Sequence, residues 1–288
     1  MSTPIPILKF GGRVLQGYER FGPDENSVVE QCHRLTNAND IYRLVQQKRN
    51  EARATRLREI AEDFILPLRA QGIVPAIVVS AFDWATDKLD QLSAYISPKP
   101  VDREYARLLM SGELRANSSL AMMLEALGCS AYSMTGREAG IRTKNGAVGA
   151  LIDSVDGGYL RHLIREGIVP VVAGFQGYYR DPETGRNEVS ILGRGGSNLT
   201  AVALAHALDQ PEAIMYSNVD GIYDRPPSVY DDAQKIEEID GRELLQWPEF
   251  PQVIQQEAVE YALGYGIDIW IRSGFAPELP GTRIICSE

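Results

Sequence analysis

A lysine at the end of an apolar strand is the first residue here that asks for a chemical explanation. Lys9 lies in the run Ile5 to Phe10 and is followed closely by Gly11-Gly12. An ammonium in that place is costly unless an anion meets it. Adjacent glycines let backbone N–H groups approach closely, which is how a phosphate is cradled. The plainer alternative is a snorkelling lysine before an ordinary turn. The segment is not a Walker A loop, because no GxxxxGKS or GxxxxGKT is present. A second segment, Leu192-Gly193-Arg194-Gly195-Gly196-Ser197-Asn198, opens an alanine-rich helix expected over 198–208. Ser197 or Asn198 suits its N-cap, a helix N-terminus favours an anion, and Arg194 offers a planar fork for a carboxylate or phosphate. The alternative is a glycine-rich turn before a capped helix. Ser217-Asn218-Val219-Asp220-Gly221-Ile222-Tyr223 follows a strand directly, and its Asp-Gly also suits a simple turn. Gly112-Glu113 sits inside a helical run, where glycine costs about 1 kcal/mol relative to alanine. Close packing or a ligand would account for it, while Glu113 reads equally well as a solvated helix residue.

Other chemistries find little support. Three cysteines (Cys32, Cys129, Cys286) and three histidines are scattered along the 288 residues. That pattern suggests neither a disulfide framework nor a metal site, and it suits a reducing cytoplasm. Twenty-nine basic residues against 39 acidic ones give a net charge of −10, which argues against a nucleic-acid or anionic-membrane partner. The N-terminus lacks the pattern of a signal peptide, and no apolar run approaches the roughly 18 residues of a membrane span.

The elements that hold these segments follow from the hydrophobic pattern. Apolar runs of strand length occur at Ile5–Phe10, Ile73–Val79, Ser130–Met134, Ile168–Ala173, Ala213–Tyr216, Ile267–Ile271 and Thr282–Ile285. Helical patterns cover 26–70, Arg103–Leu127 (one helix, or two broken near Gly112), Leu160–Glu166, 198–208 and a stretch ending at Ala258–Gly264. Apolar strands that do not alternate are covered on both faces. Their alternation with helices predicts an α/β fold, a three-layer αβα sandwich with a mainly parallel central sheet. Functional loops then lie at the carboxyl ends of the strands.

The order of the motifs is more specific than any one of them. Lys9-Phe10-Gly11-Gly12 is followed by Val78-Val79-Ser80-Ala81 with Thr86, by Gly112-Glu113, and by Gly174-Phe175-Gln176-Gly177. Gly193 to Ser197, Val219 to Tyr223 and Pro277-Glu278-Leu279-Pro280-Gly281-Thr282 complete it. This order resembles the catalytic domain of aspartate kinases, in the amino-acid-kinase superfamily, from Ile5 to about Ile285. The resemblance implies transfer of the γ-phosphoryl group of ATP, with Mg²⁺, to the side-chain carboxylate of aspartate. It implies that Lys9 contacts the transferred phosphoryl, that Asn198 holds a catalytic position, and that Gly11, Gly12, Gly195 and Gly196 serve the phosphates. Ser80, Thr86, Glu113, Phe175, Arg194 and Ser197 match the amino-acid side, with Arg194 clamping a carboxylate and Glu113 meeting an ammonium. Ser217, Asn218, Asp220 and Tyr223 border the nucleotide. No protein metal ligand is implied. A single domain over 1–288 is expected, with the acceptor side up to about 190, the nucleotide side beyond it and no ACT domain. A cytoplasmic homodimer is expected on the same ground.

The departures concentrate on the nucleotide side. The family's Thr-Ser after Lys-Phe-Gly-Gly is Arg13-Val14, its Gly-Ser-Asp is Gly196-Ser197-Asn198, and its Thr-Asp-Val-Asp-Gly begins Ser217-Asn218. Its Asp-Pro-Arg becomes Pro226-Pro227-Ser228, and a nucleotide-contacting lysine falls on Gln252. Each cation lost beside a polyphosphate costs on the order of 1–3 kcal/mol, unless Arg13 or Arg225 replaces one. Two readings follow: a kinase for aspartate or a related acid, and an impaired homologue that binds an amino acid or partners another enzyme. A kinase with a carbamate, phosphonate or phosphate acceptor is a further alternative. The segment 26–70, longer than the family's usual first connection, is an oligomer contact, a lid or a surface helix.

Overall fold

Strand β1 (Ile7–Phe10) is buried at all four residues, as a strand covered on both faces must be. It opens a computed structural model that describes residues 4–16, 31, 35, 37–225, 227 and 229–287. A short helix α1 (Gly12–Gln16) follows, then the long α2 (Ala38–Ile60), a π-helical turn (Ala61–Ile65) and α3 (Leu66–Ala70). Strand β2 (Ala76–Val79), helices α4 (Ala85–Ile96) and α5 (Asp102–Ala126) and strand β3 (Ala131–Met134) come next. Then follow β4 (Ile141–Lys144), β5 (Val148–Val155), α6 (Gly158–Arg165), β6 (Val169–Ala173), β7 (Gln176–Arg180) and β8 (Asn187–Leu192). Helix α7 (Gly196–Ala207) leads to β9 (Glu212–Ser217), β10 (Ile222–Tyr223), β11 (Lys235–Ile236) and β12 (Glu238–Asp240). The last elements are α8 (Gly241–Leu244), α9 (Gln256–Tyr265), β13 (Asp268–Ser273) and β14 (Thr282–Ile285).

Eight strands form one sheet in the order β12-β14-β13-β9-β1-β2-β6-β3. Every pairing in it is parallel except β13 with β14. Alternating side chains divide the core into two layers. Ile7, Ala76 and Val78 pack with Ala201 and Leu204 of α7, Leu160 of α6 and Ala258 of α9. Leu8, Phe10, Ile77 and Val79 pack on the other face with Leu57 and Ile60 of α2, Phe64 and Ile65 of the π turn and Leu120 and Leu124 of α5. This is the mainly parallel αβα sandwich that the apolar runs predict.

Three local readings are decided or corrected. Helix α5 is unbroken through Gly112, because the missing β-carbon lets it press on the loop after β2: a methyl there would lie 2.9 Å from Cβ of Ala81. The N-cap of α7 is Gly195, at φ 75°, and both Ser197 and Asn198 lie inside the helix. The tight approach of neighbouring chain segments makes a bare, left-handed residue the one that fits there. Of the helix expected over 26–70, Gln31 is helical and the continuous described helix begins at Ala38, where Oδ1 of Asn37 accepts the N–H of Asn39 at 2.8 Å. One face of its second half packs on the core through Leu57, Ile60, Ala61, Phe64 and Ile65, while Arg58, Glu59, Glu62 and Asp63 stay exposed. Residues 26–30, 32–34 and 36 lie outside the described residues, as do Pro226 and Ser228.

One unit has no counterpart in the apolar-run reading. β4, β5, β8 and β7 close into a small barrel. Its strands are polar and partly exposed, and β4 alternates buried with exposed residues. Its hydrophobic signal is therefore weak at every strand, and closure supplies what burial does not.

Candidate active site

The loops after β2, β6 and β8 and the start of α7 enclose a cavity of about 530 Å³. Ser80, Thr86, Glu113, Phe175, Arg194 and Ser197 all line it, together with Gly195 and Gly196. The six acceptor-side residues, spread over 118 positions of sequence, thus share one space. The approach is close enough to demand glycine: a β-carbon at Gly174 would lie 2.7 Å from Cβ of Ser197. Phe175 adopts φ 68°. Its N–H donates to Oγ1 of Thr200 at 3.1 Å and its carbonyl accepts the N–H of Leu192 at 2.8 Å. These bonds hold a non-glycine residue in a conformation found mainly where surrounding structure enforces it.

Glu113 is the main charged group of the cavity wall. Only 3% of it is exposed. Oε1 accepts the N–H of Ala81 at 3.1 Å, while Oε2 is buried without a partner among the described residues. Burial pushes its carboxyl from an ordinary 4.5 up to about 7, against the opposing pull of the Ala81 bond. An unpartnered buried carboxylate oxygen on a residue of the cavity wall fits an incoming cationic donor such as an ammonium. At the rim, Arg194 is 93% exposed, with Nη2 4.0 Å from Oδ1 of Asp87. Such an exposed contact holds the guanidinium only weakly. The Tyr105 hydroxyl donates to Oδ1 of Asp90 at 2.7 Å, and burial together with that carboxylate raises it to about 12.

Lys9 stands outside the cavity lining, at the carboxyl end of β1. Strand alternation turns it to the same face as Ile7, the face that α7 covers. It is 9% exposed, and among the described residues no hydrogen bond or ion pair to Nζ is present. Burial alone lowers its ammonium from 10.5 to about 8. The snorkelling alternative does not fit a side chain this buried. Gly12 explains the second glycine: a β-carbon there would run into the carbonyl oxygen of Ala81. The N–H groups of two glycines expected to serve phosphates are engaged already. Gly11 donates to the carbonyl of Tyr216 at 3.1 Å, and Gly196 to that of Gly193 at 3.0 Å. Backbone pairing between adjacent loops takes these donors, so they are not free in this conformation.

Asn198 is 3% exposed and also lies outside the lining. Its Nδ2 donates to Oε1 of Gln255 at 2.7 Å and to the carbonyl of Val253 at 3.4 Å. Ser217, Asn218, Asp220 and Tyr223 gather beyond β9 in a second cluster. Ser217 and Asn218 are in side-chain contact at 3.5 Å. Asp220 accepts from the Tyr223 hydroxyl at 3.0 Å and from Nζ of Lys235 at 3.2 Å. Burial would raise its carboxyl, but these two partners bring it below the ordinary range. The proposed substitute cations are both paired: Arg13 lies 3.7 Å from Asp83, and Arg225 lies between Asp224 and Asp232. Gln252 is exposed on a turn.

Three residues of the site region escape the sequence reading. Lys235 is an isolated lysine until β11 pairs with β10. Gln255 carries no motif signal, yet it lines the cavity. Arg56 is one of many arginines on α2, but it is buried. Its Nε donates to the carbonyl of Val14 at 2.9 Å, Nη2 reaches the carbonyl of Gly274, and the guanidinium lies 4.5 Å over the ring of Phe275. Gly274 in turn donates to the carbonyl of Ser217 at 2.7 Å. Arg56 therefore ties α2 to the loops around both Lys9 and Ser217.

The fold and site define a three-layer α/β protein with its ligand cavity at the carboxyl ends of parallel strands. The model described as the amino acid kinase family matches residues 4–273, and the chain belongs to that family. Curated relatives include the aspartokinase of Corynebacterium glutamicum, 38% identical over 232 residues, covering 80% of this chain and 54% of that protein. The aspartokinase of Geobacillus stearothermophilus is 38% identical over 275 residues, covering 95% of this chain and 57% of that protein. The chain thus spans about half the length of the curated relatives it matches. Among solved structures, aspartate kinase from Synechocystis superposes with a TM-score of 0.71 at 30% identity, over 98% of this chain and 40% of that one. Isopentenyl phosphate kinase from T. acidophilum shares the fold alone, with a TM-score of 0.57 at 16% identity over 97% of this chain and 99% of that one.

Proposed function

We propose that this chain transfers the γ-phosphoryl group of ATP to the side-chain carboxylate of aspartate or a related small amino acid. The acceptor oxygen forms a bond to phosphorus, ADP leaves, and the product is an acyl phosphate. The observation that carries the reading is the unpartnered Oε2 of Glu113, buried among Ser80, Thr86, Phe175, Arg194 and Ser197. In this reading Glu113 receives the α-ammonium and Arg194 leaves Asp87 to clamp a carboxylate. Ser80, Thr86 and Ser197 orient the acceptor, and Phe175 closes the wall. Lys9, without an anionic partner among the described residues, meets the transferred phosphoryl, with Gly12 permitting close approach. Asn198 and the glycines at 195 and 196 stand at the start of α7, where the helix dipole favours negative charge.

The nucleotide lies along Ser217, Asn218, Asp220 and Tyr223, in the part of the chain beyond about residue 190, which also supplies Arg194 and Ser197 to the acceptor. Phosphoryl transfer needs mainly positioning and charge neutralisation. Among the described residues no group of three or more His, Cys, Asp or Glu side chains could hold a metal. In this reading Mg²⁺ would be held by the nucleotide phosphates, whose charge it would neutralise. Among the described residues no helix is long and apolar enough to cross a membrane, and the working form in this reading is a cytoplasmic homodimer.

The test is trapping by hydroxylamine. The chain, Mg·ATP and a panel of acidic amino acids should yield a hydroxamate with aspartate, and Lys9→Ala should abolish it. A signal with another acid only would move the substrate and keep the mechanism. The impaired-homologue reading rests on the exposed Gln252 and on the uncharged Asn198. Aspartate binding by calorimetry with no hydroxamate from any acid would establish it instead.

A further inference from the structure

Gln255 occupies a position that the proposed function leaves unexplained. It is the N-cap residue of α9, with extended backbone at φ −106° and ψ 149°, yet its side chain makes no capping bond. The side chain turns instead toward the start of α7. There Oε1 accepts Nδ2 of Asn198 at 2.7 Å. The carboxamide lies directly over the bare Cα of Gly195, where any β-carbon would collide with Cδ and Oε1 of Gln255. Gly195 is therefore required twice, for its φ of 75° and for the room it leaves.

The orientation of Asn198 follows from its neighbours. The carbonyl of Val253 can only accept, so the atom facing it at 3.4 Å is the nitrogen. Both amide hydrogens of Asn198 are directed at the entry to α9. Oδ1 is left buried, without a partner. A buried acceptor without a donor is unfavourable, and such a group is retained where it has something to receive.

We propose that Gln255 is a positioning residue for phosphoryl transfer. It holds the Asn198 carboxamide so that Oδ1 is the only atom the side chain presents to the site, and it forms the cavity wall on the α9 side. The inference rests on the kinase reading for its catalytic part and on the contact alone for its structural part. The pair is neutral and does not titrate in the physiological range. Gln255 is also adaptable. Rotation about its last bond presents Nε2 in place of Oε1, which a carboxylate at position 198 would require. Glutamate at 255 has no such option.

A square of four proteins tests this: native, Asn198→Asp, Gln255→Glu and the double variant. Thermal melts of all four should fall from pH 5 to pH 8 because Glu113 is common to them, and Asn198→Asp should fall further because its new carboxyl is buried. In the double variant two carboxylates meet at hydrogen-bond distance, and one is forced to titrate well above its ordinary range. That group favours the fold when protonated, so the Tm of the double variant should fall with pH more steeply than the changes in the two single variants add up to. A slope for the double variant equal to the sum of the two single changes would overturn the contact, whatever the activity. In the hydroxamate assay Gln255→Leu should lower kcat at least tenfold with the aspartate KM changed less than threefold. Gln255→Glu, which keeps an acceptor for Nδ2, should restore much of the loss at pH 6. A rise in KM without a fall in kcat would overturn the positioning role. A native chain that makes no hydroxamate would overturn the catalytic part together with the kinase reading, and the melts distinguish that failure from a missing contact.

Discussion

Glu113→Gln isolates the charge on which the acceptor site turns. In the empty protein the carboxyl is held near 7 by burial, against an ordinary 4.5. Each pKa unit corresponds to about 1.4 kcal/mol, so ionised Glu113 destabilises the native state by on the order of 3 kcal/mol. The sign follows from linkage. A carboxyl raised in the fold contributes no penalty below its unfolded pKa, and the penalty grows until pH passes the folded value. Removing the ionisable group should thus gain about 1 kcal/mol at pH 5 and about 3 kcal/mol at pH 8. For a chain of this size that difference is a few degrees in Tm. Melts of the native protein and Glu113→Gln should diverge between pH 5 and pH 8, with the variant the more stable at the upper end. The same group predicts that aspartate binding tightens as pH rises through 7, because the ammonium selects the carboxylate. Calorimetry in buffers of different ionisation enthalpy should record release of about half a proton per site at pH 7, lost in the variant. A Tm difference independent of pH, with binding unaffected by pH in this window, would refute the assignment of Glu113 as the buried partner of the ammonium.

Three other perturbations test separate parts of the site. Lys9→Met should abolish hydroxamate formation and yet stabilise the empty protein near pH 7 by on the order of 3 kcal/mol, because burial lowers the ammonium from 10.5 to about 8. For this lowered base the cost of the charge is full below pH 8 and vanishes above 10.5, so the gain in urea unfolding should shrink across that interval. Arg56→Ala should destabilise by about 3 kcal/mol, since it strands the carbonyls of Val14 and Gly274 and uncovers Phe275. Arg56→Lys should not restore it, because a point charge cannot reproduce the fork, and denaturant melts of the two variants decide. Gly12→Ala drives a β-carbon into the Ala81 carbonyl, and should weaken ATP binding by tenfold or more in calorimetry while aspartate binding changes less.

Much of the fold is legible in the sequence because the central strands are covered on both faces. Ile7–Phe10, Ala76–Val79 and Val169–Ala173 are continuous buried runs, and such runs mark themselves by composition alone. The barrel strands are half exposed and polar, so only closure with partners far along the chain identifies them. The break expected at Gly112 shows the limit of propensity. The intrinsic cost of a helical glycine is local, while the gain from pressing α5 onto Ala81 is tertiary and outweighs it. The N-cap of α7 shows the same conflict, with Gly195 taking a place that Ser197 or Asn198 suits on preference alone.

The sequence by itself determined the order of the motifs, and with it the family, the parallel sheet and six side chains that line one cavity. That information survives in one dimension because each motif sits at the end of its own strand or helix. Tertiary structure decided what no local segment encodes. It left Glu113 with one partnered and one unpartnered oxygen, engaged the N–H of Gly11 with Tyr216, and set Lys235 against Asp220. It also placed Gln255 over Gly195 and against Asn198, a contact between residues 57 positions apart. Burial and partner choice depend on which surfaces meet, and those meetings exist only once the sheet has brought distant loops to one edge.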